Sequence, residues 1–324
     1  MSIQLLRGLH NPGMQPHEPS GKCVATIGNF DGVHLGHQAI ILQLIAEAKK
    51  RGLPSLVVIF EPQPMEFFKG KESPPRLMCF REKFQALSEF NIDYVFCLKF
   101  DADLSQLSAQ EFIQKVLLSH LKIDHLVIGD DFRFGGDRLG DYSLLVDSGR
   151  ENNFTVENTP TVLCESKKSL GKGVRVSSTY VRQLLHEGEF SLVQKVLGRP
   201  YEMAGRVIHG EKLGRQLGFP TANISIKRIN APFSGVFAVS LSFESGTSYQ
   251  GVANLGVKPT VGNFKPSLEV YLLDFDGDIY GKKVSVHFRH KIRQERKFDG
   301  IEDLKVQIEK DVEHAKRYFN SLDS

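Results

Sequence analysis

His34 and His37 stand three positions apart in the run GNFDGVHLGH, residues 28–37, which follows an apolar stretch at residues 23–27. Residues three apart on a helix share a face, so both imidazoles can address one ligand. Gly28, Gly32 and Gly36 let the backbone approach that ligand, while a helix opening near Gly36 aims N–H groups and the positive end of its dipole at the loop. With Asn29, Phe30 and Asp31 inside the loop, the unit is a seat for phosphate, and two imidazoles suit a triphosphate. The Walker A pattern is absent from the chain, and this loop carries no G-x-G-x-x-G pattern. Zinc is the other use of such histidines, yet no cysteine or third histidine sits near in sequence to complete a tetrahedral set.

A second constellation occupies residues 210–223, GEKLGRQLGFPTAN, where Gly210, Gly214 and Gly218 alternate with Lys212 and Arg215 before Pro220. Such a flap can fold over phosphates with its N–H groups forming an anion-binding concavity. Thr221 and Asn223 alternate on an extended segment, so both offer oxygen to one side, and magnesium takes oxygen ligands. Glu269 lies in LEVYLLDF on the strand face of Tyr271 and Leu273, where a carboxylate is usually just solvated.

Two further groups keep two readings each. Asp131 beside Phe132 and Phe134 could grip a flat ring by edge and face, or the two phenylalanines could be plain core. Ser177, Ser178 and Thr179 precede a helix starting near Tyr180, which one hydroxyl would cap; Arg182 lies one turn in and could hold an anion bidentately.

The elements that must position these groups can be read from periodicity. Ile40, Ile41, Leu44, Ile45 and Ala48 follow a helical period that Gly52 closes, and residues 53–60 form an unbroken apolar strand. Alternation continues with a helix near 79–90, a strand at 94–98, a helix at 109–121 and a strand at 125–129, which predicts a doubly wound α/β domain. Ligands bind such sheets beyond the strand carboxyl ends, where strand order reverses. Residues 28–37, 60–64 (FEPQP) and 129–135 (GDDFRFG) are expected to meet there. After Pro200 short β-rich runs at 204–208, 236–243, 249–255, 268–273 and 284–289 predict a small closed barrel. A last helix over 301–322 carries Leu304, Ile308, Val312, Ala315 and Phe319 on one face to cover it. The boundary falls near Gly188, giving domains at 1–187 and 188–324.

Composition agrees with two ordinary cores: 324 residues, 41% hydrophobic, 24% charged. A net charge of +3 is too mild to argue for nucleic acid and suits polyanionic small molecules. The cysteines, Cys23, Cys79, Cys97 and Cys164, form no C-x-x-C pair and read as reduced, buried thiols. The N-terminus has no signal-peptide pattern and no apolar run nears the ~20 residues of a membrane helix, so a soluble, cytoplasmic protein without membrane or nucleic-acid partners is expected.

GNFDGVHLGH resembles the HxGH signature of the bacterial bifunctional riboflavin kinase/FMN adenylyltransferases, the FAD synthetases, and PTAN resembles the riboflavin kinase signature of the same family. The resemblance runs from Cys23 to about Phe319. It implies an α/β fold class: an N-terminal Rossmann-like HxGH nucleotidyltransferase domain plus a C-terminal small β-barrel riboflavin kinase domain with a covering helix. It also implies that riboflavin and ATP give FMN in the second domain, and FMN and ATP give FAD and pyrophosphate in the first, with Mg²⁺ required. By the same resemblance His34 and His37 serve the adenylyl transfer, Ser177, Ser178, Thr179 and Arg182 contact the departing pyrophosphate, and Asp131, Phe132, Phe134 and Arg293 line flavin or nucleotide sites. Thr221 and Asn223 hold the metal and Glu269 is the base on the ribityl hydroxyl. Tyr271 stands where the family usually has histidine, and Lys258 where it often has arginine. A nucleotidyltransferase of other specificity, or a flavin- or nucleotide-binding regulator without turnover, are the alternatives.

Overall fold

The computed structural model describes residues 3–8, 21–136, 138–165, 173–210, 214, 217–260 and 263–322. Two compact units emerge, Met1–Ser73 with Lys83–Ser177, and Pro74–Glu82 with Ser178–Ser324.

The first unit is built on six strands in the order β1-β4-β3-β2-β5-β6, all parallel. These are β1 (Gln4–Gly8), β2 (Cys23–Ile27), β3 (Ser55–Glu61), β4 (Tyr94–Lys99), β5 (Ile123–Gly129) and β6 (Thr155–Thr159). Every residue of β2 and the first five of β3 are buried, which is why both read as unbroken apolar runs: parallel strands are covered on both faces. Between them α1 (Leu35–Arg51) buries Ile41, Leu44 and Ala48 and stops at Gly52, whose φ of 65° suits glycine at a helix end. The connections also carry α2 (Pro64–Lys69), α3 (Phe80–Ser88), α4 (Ala102–Gln106), α5 (Ala109–Phe112) continuing as a π-helix over Ile113–His120, and α6 (Tyr142–Asn152). A short antiparallel pair, β7 (Leu163–Cys164) and β8 (Val174–Arg175), completes the unit.

From β2 the chain moves outward to β3 and β4, then returns to the other side of β2 as β5. That reversal is the switch point. The loops after β3, β2 and β5 therefore leave three adjacent strands at the same end, as the sequence predicts. The sequence reading did not foresee β1, α6 or β6. The thiols need correction: Cys23 is buried and pushed up to about 12 mainly by burial, whereas Cys79, Cys97 and Cys164 are only partly covered.

The second unit opens with α7 (Ser178–Glu187) and α8 (Phe190–Leu197). A closed antiparallel barrel follows in the order β10-β13-β12-β11-β14-β9, with β9 pairing back to β10. Its strands are β9 (Glu202–Ile208), β10 (Thr221–Ser225), β11 (Gly235–Phe243), β12 (Ser248–Thr260), β13 (Asn263–Leu272) and β14 (Lys283–Arg293). Phe190, Phe233, Phe237, Phe288 and Tyr201 pack at centroid distances of 5.0–6.2 Å, mostly edge to face with Phe190 stacked on Phe288, to form its core. The predicted covering helix is α9 (Ile301–Asn320), whose Ala315 and Phe319 sit on Val236, Ala238 and Val252.

Pro74–Glu82 is stitched to this barrel by a buried ion pair. Glu82 Oε2 lies 2.6 Å from Arg228 Nη2, and neither side chain is more than 1% exposed. The carboxylate also accepts from Ala204 N at 2.7 Å and Cys79 N at 2.6 Å, while Tyr201 Oη donates to Leu77 O at 2.9 Å. Arg228 Nε and Nη1 have no partner among the described residues, so Glu82 is the counter-charge the guanidinium depends on. Glu82→Ala should lower the stability of the barrel unit by about 3–5 kcal/mol, the cost of stranding one buried charge. Calorimetric unfolding checks this; an unchanged transition would contradict it.

Candidate active sites

In the loop after β2, Phe30 and Val33 adopt φ values of 46° and 41°, and Gly32 one of 91°. A β-branched residue such as Val33 rarely tolerates that region. Phe30 and Val33 are nonetheless at most 1% exposed. Burying two such side chains contributes about 1.5–3 kcal/mol each, which matches the roughly 1–3 kcal/mol that each strained residue costs. The loop is thus held in an unusual shape by its own anchors, and Gln38 Nε2 donates to Val33 O at 2.9 Å to brace it.

His34 is the N-cap of α1, its Nδ1 accepting from His37 N at 3.3 Å. Because a backbone N–H only donates, Nδ1 keeps its lone pair and the ring hydrogen sits on Nε2. The two rings stack at 3.7 Å and 17°, with Phe30 5.1 Å from His37. His37 is held well below the usual histidine range, first by burial, then by His34 and by the Lys83 ammonium. The His37 imidazole is therefore neutral near pH 7. His37 Nδ1 is buried without a hydrogen-bond partner among the described residues. Gly36 must stay small: a Cβ there would lie 3.1 Å from the His34 ring and from Val176 O. The first turn of α1 has no acidic residue to compete with an anion.

Asn29 is exposed at the loop tip, while Asp31 is buried. On the neighbouring strand end, Asp131 pairs with Arg175 at 2.6 Å, and Phe132 stacks on Phe134 at 5.6 Å. Phe134 is buried against Phe112, with Gly140 closed over it, so it supports Phe132 from within the core. Ser177 ends the first unit, while Ser178, Thr179 and Arg182 belong to α7 in the second. There the Arg182 Nε donates to Pro75 O at 2.7 Å, and the first turn of α7 has no acid.

On the barrel, the strand register aligns the candidate groups. Asn223 lies opposite Glu269, Glu269 opposite Asn254, Asn254 opposite Val236, and Val236 opposite Arg293, one row across five strands. Thr221 Oγ1 donates to Glu269 Oε2 at 3.3 Å. Gly210 and Gly214 lie directly above: a Cβ at Gly210 would overlap the Asn223 carboxamide, and one at Gly214 would come within 3.3 Å of Thr221 Oγ1. Gly218 has a φ of 87°, and Pro220 is exposed at the entry to β10. Lys212 and Arg215 lie outside the described residues. Arg293, at the far end of the row, forks onto Asp311.

These two constellations coincide with two family models, FAD synthetase over residues 17–179 and riboflavin kinase over residues 197–319. The chain is 45% identical over 317 residues to the bifunctional riboflavin kinase/FMN adenylyltransferase of Escherichia coli (strain K12), covering 98% of each chain. It is 49% identical to that of Pseudomonas fluorescens, covering 97% of each. The chain belongs to the bifunctional riboflavin kinase/FMN adenylyltransferase family. A crystal structure described as a macrolide-efflux protein from Streptococcus pneumoniae shares the fold at a TM-score of 0.75 and 29% identity, over 92% of this chain and 94% of that one. Among the described residues no helix is long and apolar enough to cross a membrane.

Several groups in this family member escape a reading by motif. Lys83 is fully buried on α3 and acts on His37 by charge, and Gln63, at the exit of β3, keeps a buried Nε2 without a partner among the described residues. Glu47, His125 and Glu157 come within 4.8 Å of one another as a metal set would. Arg51 Nη2, however, stands 3.1 Å from His125 Nδ1, and a guanidinium only donates, so Nε2 keeps its hydrogen and faces Glu157 Oε2 at 3.6 Å. Thr155 Oγ1 also lies 2.6 Å from Nδ1, Nε2 has no hydrogen-bond partner among the described residues, and the Arg51 cation beside the three groups disfavours a metal ion there.

The depressed His37 has a measurable consequence. Below its ordinary pKa the unfolded chain takes up a proton that the folded site refuses, so this group's contribution falls as pH drops from about 6.5. His37→Gln should flatten the acid limb of the first unit's stability between about pH 7 and 5. Thermal unfolding across that range reads it, and a limb as steep as that of the unsubstituted protein would contradict the assignment.

Proposed function

We propose that the two glycine-built sites divide the family's two reactions between them. At the barrel, riboflavin and ATP give FMN and ADP; at the loop after β2, FMN and ATP give FAD and pyrophosphate. The reading is supported above all by Thr221, Asn223 and Glu269 meeting on one outer patch beneath Gly210 and Gly214.

In the kinase reaction Glu269 accepts the proton of the ribityl hydroxyl as its oxygen attacks the γ-phosphate of ATP in line, a role typically worth about 10²–10⁴-fold. Thr221 and Asn223 would hold Mg²⁺: two neutral oxygens under a glycine cradle suit a hard cation, which when bound offsets the charge of the ATP phosphates. Gly210, Gly214 and Gly218, with Lys212 and Arg215, close over the nucleotide.

In the adenylyl transfer the FMN phosphate is already anionic and attacks the α-phosphate without a base. Nε2–H of His34 and the His37 ring donate to oxygens on which charge accumulates, and the α1 N-terminus adds its dipole. Ser177, Ser178, Thr179 and Arg182 serve the departing pyrophosphate, and Asp131 with Phe132 over Phe134 borders the flavin. We therefore set the functional domains at 1–187 and 188–324, although α7 clusters with the second unit. Cytoplasmic ATP and riboflavin would be its substrates.

Riboflavin, ATP and Mg²⁺ incubated with the protein and resolved by chromatography test the whole scheme. His37→Ala should leave FMN formation intact and cut FAD formation by at least about 10²-fold. Glu269→Gln should do the reverse, with FAD still made from supplied FMN. Equal loss of both products in either variant would rule out independent sites, and a bound but unchanged flavin would favour a regulator.

A further inference from the structure

A cavity of about 600 Å³ opens beside the barrel, bordered by α8, β11, β12, β14 and the last turn of α9. Among the described residues its lining comes wholly from the second unit, includes no acid, and has Arg289 as its one cation. The cavity is apart from the row of groups that carries Glu269. Ser240 lies four residues along β11 from Val236, Gln250 four residues along β12 from Asn254, and the two pair with each other. At the usual rise per strand residue that places the cavity roughly 13 Å from the row.

Strand pairing singles out Arg289. On β14, Phe288 pairs with Val239 and His290 with Ala238, so Arg289 is an extra residue opposite no partner. A bulge of this kind takes a side chain out of the regular alternation and re-aims it. The guanidinium is held by one bond, Nε donating to Ser240 Oγ at 3.1 Å. Nη1 and Nη2 have no hydrogen-bond partner among the described residues, and no carboxylate of those residues comes into ion-pair range. Arg228 and Arg293, by contrast, are each locked onto an acid. A half-buried cation without a counter-charge is a cost to the fold that an incoming anion would remove. The walls nearby are flat and fixed: Tyr318 stacks on His290 at 4.9 Å and 13°, Tyr249 meets Phe275 edge-on at 4.8 Å, and Phe319 is buried.

We propose that this cavity is a second ligand site of the protein, taking a planar organic anion: a phosphate or carboxylate carried on an aromatic ring. The two Nη groups of Arg289 present the fork that either oxyanion fits. One positive charge suits one anionic group, and the tyrosine rings suit the flat body. Gln194 and Ser248, exposed at the rim, supply further hydrogen-bonding groups. Neither of the two reactions proposed above uses any of these residues, so the site can be tested apart from them.

The test uses the full chain, with phenyl phosphate and benzoate as probes and benzyl alcohol and inorganic phosphate as controls. Binding is read by ligand-observed NMR titration with riboflavin, ADP and Mg²⁺ in excess, so that the nucleotide sites are occupied. At least one ring anion should bind with a Kd of about 1 mM or below. Phenyl phosphate binding more tightly assigns the site to phosphates, benzoate binding more tightly to carboxylates. Arg289→Gln should weaken that binding by about tenfold or more, the loss of a charged hydrogen bond. The same variant should form FMN and FAD at rates within about twofold of the unsubstituted chain. Arg289→Lys, which keeps the charge but loses the fork, should fall between the two. Should Arg289→Gln not fold, Ser248→Trp, at an exposed rim position, fills the opening and must weaken binding as much. Equal binding by the unsubstituted chain and Arg289→Gln overturns the proposal. So does benzyl alcohol or inorganic phosphate binding as tightly as the ring anions, or an unsubstituted chain that takes up neither ring anion at millimolar concentrations.

Discussion

One hydrogen bond, from the His37 amide to His34 Nδ1, fixes three properties of the loop after β2 at once. It caps α1, so the helix begins where the loop ends. It sets the His34 tautomer, so the ring hydrogen lies on Nε2. It also draws the two rings into a stack, which only Gly36 between them allows. The strained backbone at Phe30 and Val33 delivers the chain to this entry point, and their burial in the unit's core holds it there. Strain in this loop is thus offset locally, within the same few residues that use it.

The barrel reaches precision by other means. No single bond organises its site; the register of paired strands does. Once β10, β13, β12, β11 and β14 are hydrogen-bonded, Asn223, Glu269, Asn254 and Arg293 can only lie in one row, since a slip of one residue would turn each to the opposite face. A site of this kind is as rigid as the sheet that carries it.

Both signatures were legible in the sequence because their chemistry is local. GNFDGVHLGH holds its cap, its turn glycines and its paired rings within ten residues, and PTAN sets two oxygens on one strand face by alternation alone. The long apolar strands and the amphipathic α1 and α9 were readable for the same reason. What stayed hidden depends on contacts distant in sequence. Lys83 gives no sign that it will lie buried beside His37, and an acid at position 311 looks like one more polar residue on a charged helix until Arg293 is brought to it. β1 was missed at the sheet edge, where five residues cannot carry a clear period. Phe134 illustrates the reverse case: pattern left it between core and ligand, and packing against Phe112 put it in the core.

The Pro74–Glu82 segment shows that dividing the work between two sites does not divide the polypeptide. Nine residues interrupt the first unit and are knitted into the barrel, contributing the only carboxylate the described residues give Arg228. The connectivity is therefore interleaved, and no single cut of the backbone yields both halves whole. A C-terminal fragment starting after α7 would carry a stranded interior cation, while the N-terminal fragment would keep a loop evolved to fold onto something it had lost. The barrel unit keeps as part of its own scaffold a stretch drawn from inside the other unit's run of sequence.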